Sequence, residues 1–172
     1  MNTYPSLFFV IVLFFASSSL AQKWDVQLGA AFQPKFTAQP QNVWAGLQIN
    51  GSYHIFLTER YAAITRLEFQ GNAWGNHLLP GVGFQYLLSN RKRWSLHGES
   101  LTHLGAGFYS PRPLLTGKSQ NLFFLNYKTI KGHEWGIGIG LQYVFTPKYM
   151  LFSETFQSLN IPLVVRWGKG WG

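Results

Sequence analysis

Ser95, His97, Glu99 and His103 stand two or four residues apart in one short stretch of the chain. Residues two apart on an extended strand point to the same side, so this spacing sets all four on one face. Serine, histidine and a carboxylate are the parts of a hydrolase triad, acting as nucleophile, base and the group that orients the base. Consecutive members would be about 6.6 Å apart at Cα, so a direct Ser95–His97 contact depends on rotamer choice. The competing use of the same residues is structural, as hydrogen-bonding side chains inside a sheet. His54, Glu99 and His103 could in principle ligate a metal, but no metalloenzyme ligand spacing accompanies them, and no metal is expected. Gly136, Gly138 and Gly140 have the look of a phosphate loop. Such a loop follows a strand and opens a helix, whereas these glycines alternate within one strand with Trp135, Ile137, Ile139 and Leu141. No nucleotide and no other cofactor is expected.

The elements that carry these residues read at period two, the mark of strands with unlike faces. Val43, Ala45, Leu47 and Ile49 alternate with Gln48, Asn50 and Ser52. Thr65, Leu67 and Phe69 alternate with Arg66, Glu68 and Gln70. Trp135 to Phe145 sets large apolar residues against Glu134, Gly136, Gly138, Gly140 and Gln142. One face is aromatic and aliphatic; the other is small, polar and sparsely charged.

Composition says which way those faces point. Of 172 residues, 47% are hydrophobic, 17% aromatic and 12% charged. A soluble domain carries about 25% charged residues, so this chain is too poor in charge to coat eight strands in water. A transmembrane β-barrel reverses the soluble arrangement, with apolar residues outward and polar residues in a narrow lumen. Closing the sheet also satisfies every backbone group in lipid. The net charge of +8 arises from 14 Lys and Arg against 6 Asp and Glu. With no basic run longer than Arg91-Lys92-Arg93, it is not a nucleic-acid signal. The absence of cysteine excludes disulfide and thiolate-metal scaffolds.

The first 21 residues carry no charged side chain, and Leu7 to Phe15 is an apolar core followed by Ser19 and Ala21, small residues that suit cleavage before Gln22. The expected organisation is a signal peptide over 1–21 and one domain over 22–172. Strands are expected near 24–33, 43–57, 60–74, 77–88, 94–109, 133–145, 148–157 and 159–168, an even count of eight. A ten-stranded barrel is the alternative, because 122–129 could itself be a strand. Short polar connections at 57–60, 89–93 and 146–148 read as periplasmic turns, and 34–42, 71–76 and 110–132 as outer loops. Inward charge should pair, since isolated buried charge is costly. The expected lumen network is Asp25, His54, Arg66, Glu68, His97, Glu99, His103, Glu134 and Arg166, with His97 or His103 bonded to Glu99 or another acid.

These features, with the stretches Leu57 to Tyr61 and Phe145 to Tyr149 and the closing Leu163-Val164-Val165-Arg166-Trp167, resemble the small eight-stranded outer-membrane β-barrel proteins of Gram-negative bacteria. The resemblance rests on pattern over nearly the whole mature chain. It implies an outer-membrane location reached through the periplasm, and a final strand read by the barrel-assembly machinery. In that family the last strand ends on an aromatic residue; here Gly168 to Gly172 follow Trp167. Lipid A deacylases of the same membrane carry a His-x-Ser pair on one strand, and this chain has the order reversed at Ser95 and His97. The expected role is non-catalytic: structural, surface-interacting or lipid-interacting, as a monomer, with specificity in 110–132. Lys35, Arg112, Lys118, Lys128 and Lys131 lie in or beside the expected outer loops, where lipopolysaccharide headgroups are one candidate partner. Two alternatives remain. One is a lipid-deacylating barrel using Ser95, His97 and Glu99; the other is a soluble periplasmic barrel with its Trp, Ile and Leu faces turned in around an apolar ligand.

Overall fold

A computed structural model describes residues 22–32, 46–72, 75–109, 112–146 and 156–171. They form a closed barrel of eight antiparallel strands, each bonded to its neighbours in sequence. The strands are β1 (Gln22–Phe32), β2 (Gly46–Phe56), β3 (Tyr61–Asn72), β4 (Gly75–Arg91), β5 (Trp94–Tyr109), β6 (Arg112–Lys128), β7 (His133–Thr146) and β8 (Phe156–Trp171). β8 closes on β1 through pairs such as Val26↔Trp167 and Leu28↔Val165. Gln22, the end of β8 and the turns 57–60, 92–93 and 129–132 lie at one end, called here the terminal rim.

Period-two patterning becomes an inside and an outside. On β7, Trp135, Ile137, Ile139 and Leu141 are more than half exposed, while Gln142 and Val144 are fully buried. The glycines of this strand make room inside: a Cβ on Gly138 would strike the Phe124 ring, and one on Gly136 the Asn126 amide. Outside, Tyr86 lies over Gly98 of the next strand and covers the gap that it leaves. The large apolar faces point outward, so the soluble barrel with an apolar interior is not the architecture found.

The terminal-rim turns are closed by their own side chains. Thr58 Oγ1 accepts from the backbone N–H of Arg60 and Tyr61 at 3.2 and 3.0 Å. Thr129 Oγ1 donates to the His133 carbonyl and accepts from its N–H, both at 3.1 Å, with Gly132 at φ +77°. Lys92 takes a left-handed φ of 47° in the two-residue turn between β4 and β5.

The expected count of eight strands holds, but their partition differs. Residues 112–128, read as most of an outer loop, are β6, one of the longest strands at 17 residues. Its alternation was masked because Leu122 and Phe124 are buried while Phe123 and Leu125 face out, leaving apolar residues on both faces. With β6 inserted, β7 runs in the opposite direction to the one expected. Thr146 therefore ends at the far rim, and the rest of 146–148 lies outside the described residues. The tight turn is 129–132 instead. β8 begins at Phe156, so 148–157 and 159–168 are not two successive described strands. It also continues past Trp167 to Trp171. The signal peptide at 1–21, the segment 34–42, Trp74 and Tyr149 lie outside the described residues.

Candidate functional site

Among the described residues, the charged side chains facing the lumen pair off in two groups. Arg166 on β8 sits at the centre of one. Its Nη1 bonds Glu99 Oε1 and lies 3.6 Å from Asp25 Oδ2, and its Nη2 donates to Asn126 Oδ1 at 2.9 Å. The guanidinium lies over the Phe124 ring, 4.0 Å from its centroid. Arg66 on β3 donates to the other Glu99 oxygen at 2.6 Å and, through Nε, to Ser52 Oγ at 2.8 Å. Asp25 also takes His54 Nε2 at 2.7 Å and Gln27 Nε2 at 3.1 Å. Lys23 Nζ reaches Glu134 at 2.9 Å. Towards the far rim, Lys118 bonds Glu68, whose second oxygen is 4.0 Å from His103. The carboxylates Asp25, Glu68, Glu99 and Glu134 thus face Lys23, Arg66, Lys118 and Arg166, one cation for each acid.

All nine expected lumen residues do face inward, but the pairing differs at the histidines. His97 does not bond Glu99, whose oxygens are taken by Arg66 and Arg166. The close histidine–acid pair is His54 with Asp25. Two cations were missed. Lys23 shares strand parity with Asp25 and was assigned just before the strand. Lys118 was assigned to an outer loop and is instead buried beside Glu68. Inward-facing His77 was missed as well, and it shares the parity of Leu79 and Gly81.

The reading of Ser95, His97 and Glu99 as a triad is half met. His97 Nε2 lies 2.7 Å from Ser95 Oγ, so the contact forms. The other ring nitrogen faces Gln85 Nε2 at 2.6 Å, not a carboxylate. The side-chain amide of Gln85 thus stands where a triad would place the carboxylate that orients the base. Asp25, His54 and Glu99 bring three potential metal-ligating atoms within 4.8 Å, but Arg166 already reaches both carboxylates. A cation there would have to displace the guanidinium. His103 lies with Glu68 and Lys118 rather than in this group.

The terminal rim is the second polar region. Arg60, Arg91, Lys92, Arg93, Lys128, Lys131 and Lys169 gather there, against Glu59 as the acid. Just inside them runs an aromatic belt: Trp24 and Trp167 meet edge to face at 5.0 Å, Trp94 and Tyr127 lie 5.0 Å apart, and Arg93 donates to the Tyr127 hydroxyl at 3.2 Å. Lys128 and Lys131 therefore lie at the opposite end from the one expected. With Lys118 inside the barrel, three of the five cations assigned to the outer loops are elsewhere. Lys35 and the Arg112 side chain lie outside what is described.

No protein-family model matches the sequence, and no curated protein matches it. Solved structures do match the fold. Neisserial surface protein A aligns with a TM-score of 0.59 at 8% identity, over 89% of this chain and 96% of its own. This is the fold of the small eight-stranded outer-membrane barrels. Ail, the attachment invasion locus protein of Yersinia pestis, aligns at 0.49 and 8% identity over 88% and 99% of the two chains. Its backbone structure in a phospholipid bilayer nanodisc aligns at 0.40 and 12%, over 87% and 99%. At 8% identity the likeness to Neisserial surface protein A speaks for the barrel and not for what it binds.

Proposed function

We propose that this chain is an outer-membrane barrel with a non-catalytic role at the membrane surface, seated with its terminal rim in the periplasm. The observation that carries this reading is the inverted polarity of the wall. Leu28, Ile49, Leu67, Val82, Ile137 and Leu163 are roughly half exposed or more, while Arg166, Glu99, Glu68 and Lys118 are sealed inside. In water such a surface would aggregate; in lipid it is the stable arrangement. The basic terminal rim meets the anionic headgroups of the adjacent phospholipid leaflet, each Lys or Arg contributing about 1 kcal/mol near the surface. The barrel-assembly machinery reads the closing strand that runs to Trp171. Membrane fractionation with heat-modifiable gel mobility tests the proposal. A chain that stays soluble without detergent, or migrates alike heated and unheated, sinks it.

One observation favours the catalytic alternative, the Ser95–His97 contact at 2.7 Å. The Gln85 partner and the inward position of the pair speak against it. Mass spectrometry of lipid A from cells making the wild type or His97→Ala decides between the two: identical acyl patterns are expected, and an acyl loss confined to wild type reverses the preference.

A further inference from the structure

The outer wall holds a polar patch where lipid contact calls for none. Ser100 and Thr102 on β5 and Ser119 and Asn121 on β6 all point outward and are exposed. They are cross-strand partners, Ser100↔Asn121 and Thr102↔Ser119. On β5 the pair lies midway between Trp94 at the terminal rim and Phe108 near the other end. Among the described residues no side-chain hydrogen bond within the chain uses these four. Apolar side chains ring them: Val82 and Phe84 on one flank, Leu141 and Tyr143 on the other, Leu104 above and Phe123 below. At this height the described outward residues of β1, β2, β7 and β8 include nothing comparable, and β3 contributes only Thr65.

We propose that this patch is the interface of a two-fold symmetric dimer of the chain within the membrane. The inference rests on the outward wall facing lipid. A polar side chain in hydrocarbon is costly until it finds a hydrogen-bond partner. A closed barrel has no strand edge to offer, so the partner must be met through side chains. Hydroxyl and amide side chains each donate and accept, so each of the four is its own complement. A two-fold axis along the membrane normal keeps every residue at its own depth, and so lays the patch of one copy on the patch of the other. The small Ser and Thr side chains, with Gly117 beside them on β6, let the two walls approach, as small residues do between transmembrane helices. A partner of another kind would need its own matching polar group at this depth, whereas a second copy carries one by construction. The monomer expected from sequence took no account of the patch, because Ser119 and Asn121 were assigned to a loop.

The chain has no cysteine, so single-cysteine variants report without background. Asn121→Cys and, on the far side of the barrel, Leu28→Cys would be expressed in outer membranes and oxidised mildly. The cross-linked product would then be purified and weighed. Expected is a species of twice the chain's mass for Asn121→Cys, and little or none for Leu28→Cys. In vesicles, replacing all four residues (Ser100→Ala, Thr102→Val, Ser119→Ala, Asn121→Leu) should raise the dimer dissociation constant roughly tenfold. No product above the Leu28→Cys level, or a product containing a different protein, overturns the proposal. Heat-modifiable mobility of the same variants reports separately on membrane insertion, so a barrel that inserts but does not cross-link rejects the dimer alone.

Discussion

The lumen and the outer wall of β5 and β6 place polar groups in surroundings without bulk water, and they treat them in opposite ways. Inside, Glu99 is held by two arginines, Asp25 by His54, Gln27 and Arg166, and Glu68 by Lys118. Outside, Ser100, Thr102, Ser119 and Asn121 stand at the same kind of depth with no such bonds. Neutral groups can wait for a partner at modest cost, whereas charges cannot. That difference in cost explains why every described charge at mid-barrel is internal and paired, while the outward polar residues are all neutral.

Breaking the inner half of the contrast should have the largest effect. Arg166→Ala would leave Glu99 with one cation fewer and remove the 3.6 Å neighbour of Asp25. Removing one partner of a buried ion network costs about 3–5 kcal/mol, so urea unfolding in detergent micelles should show a large loss or no folded band. Arg166→Met combined with Asp25→Asn should recover much of that loss, because Lys23–Glu134, Arg66–Glu99 and Lys118–Glu68 then remain paired. If Arg166→Ala folds with wild-type stability, the network is not holding the barrel.

The next test moves a charge to the lipid side. Ile139, on the outward face of β7 near its middle, is 56% exposed. Ile139→Arg should cost about 2–4 kcal/mol near the bilayer midplane, an effect that fades towards the rims. The same unfolding measurement on Trp135→Arg, in the terminal aromatic belt, should therefore show a smaller loss. Equal losses at the two positions would contradict the assigned depths.

Much of this contrast was legible from period-two patterning. The alternation of Trp135 to Phe145 against Gly136 to Gln142 is the wall and lumen of β7, and all nine expected lumen residues point inward. β6 was hidden because Leu122 and Phe124 fill the lumen beside the glycines of β7. A strand with apolar residues on both faces has no period of two to read. Losing β6 concealed Lys118, and with it the match of cations to acids among the described lumen residues. It also concealed Ser119 and Asn121 as wall residues. The Ser95–His97 contact and its Gln85 partner are side-chain geometry on two strands, which spacing along one strand does not fix.

The smallest effect separates a patch awaiting a partner from one indifferent to its surroundings. Asn121→Leu replaces an outward amide by an apolar group at the depth of Leu141, its cross-strand neighbour on β7. At high dilution in lipid, where the chain is monomeric, the change should stabilise the barrel by about 0.5–2 kcal/mol, the cost of withdrawing an amide from water on scales that allow partial compensation. At high protein-to-lipid ratio the sign should reverse, because the variant forgoes the bonds that its own copy supplies. Unfolding free energies measured across a dilution series would show the two curves crossing for Asn121→Leu against wild type, and parallel curves for Leu28→Ala. A gain that persists at every ratio would mean the amide is simply tolerated, and the contrast between lumen and wall would then reduce to charge alone.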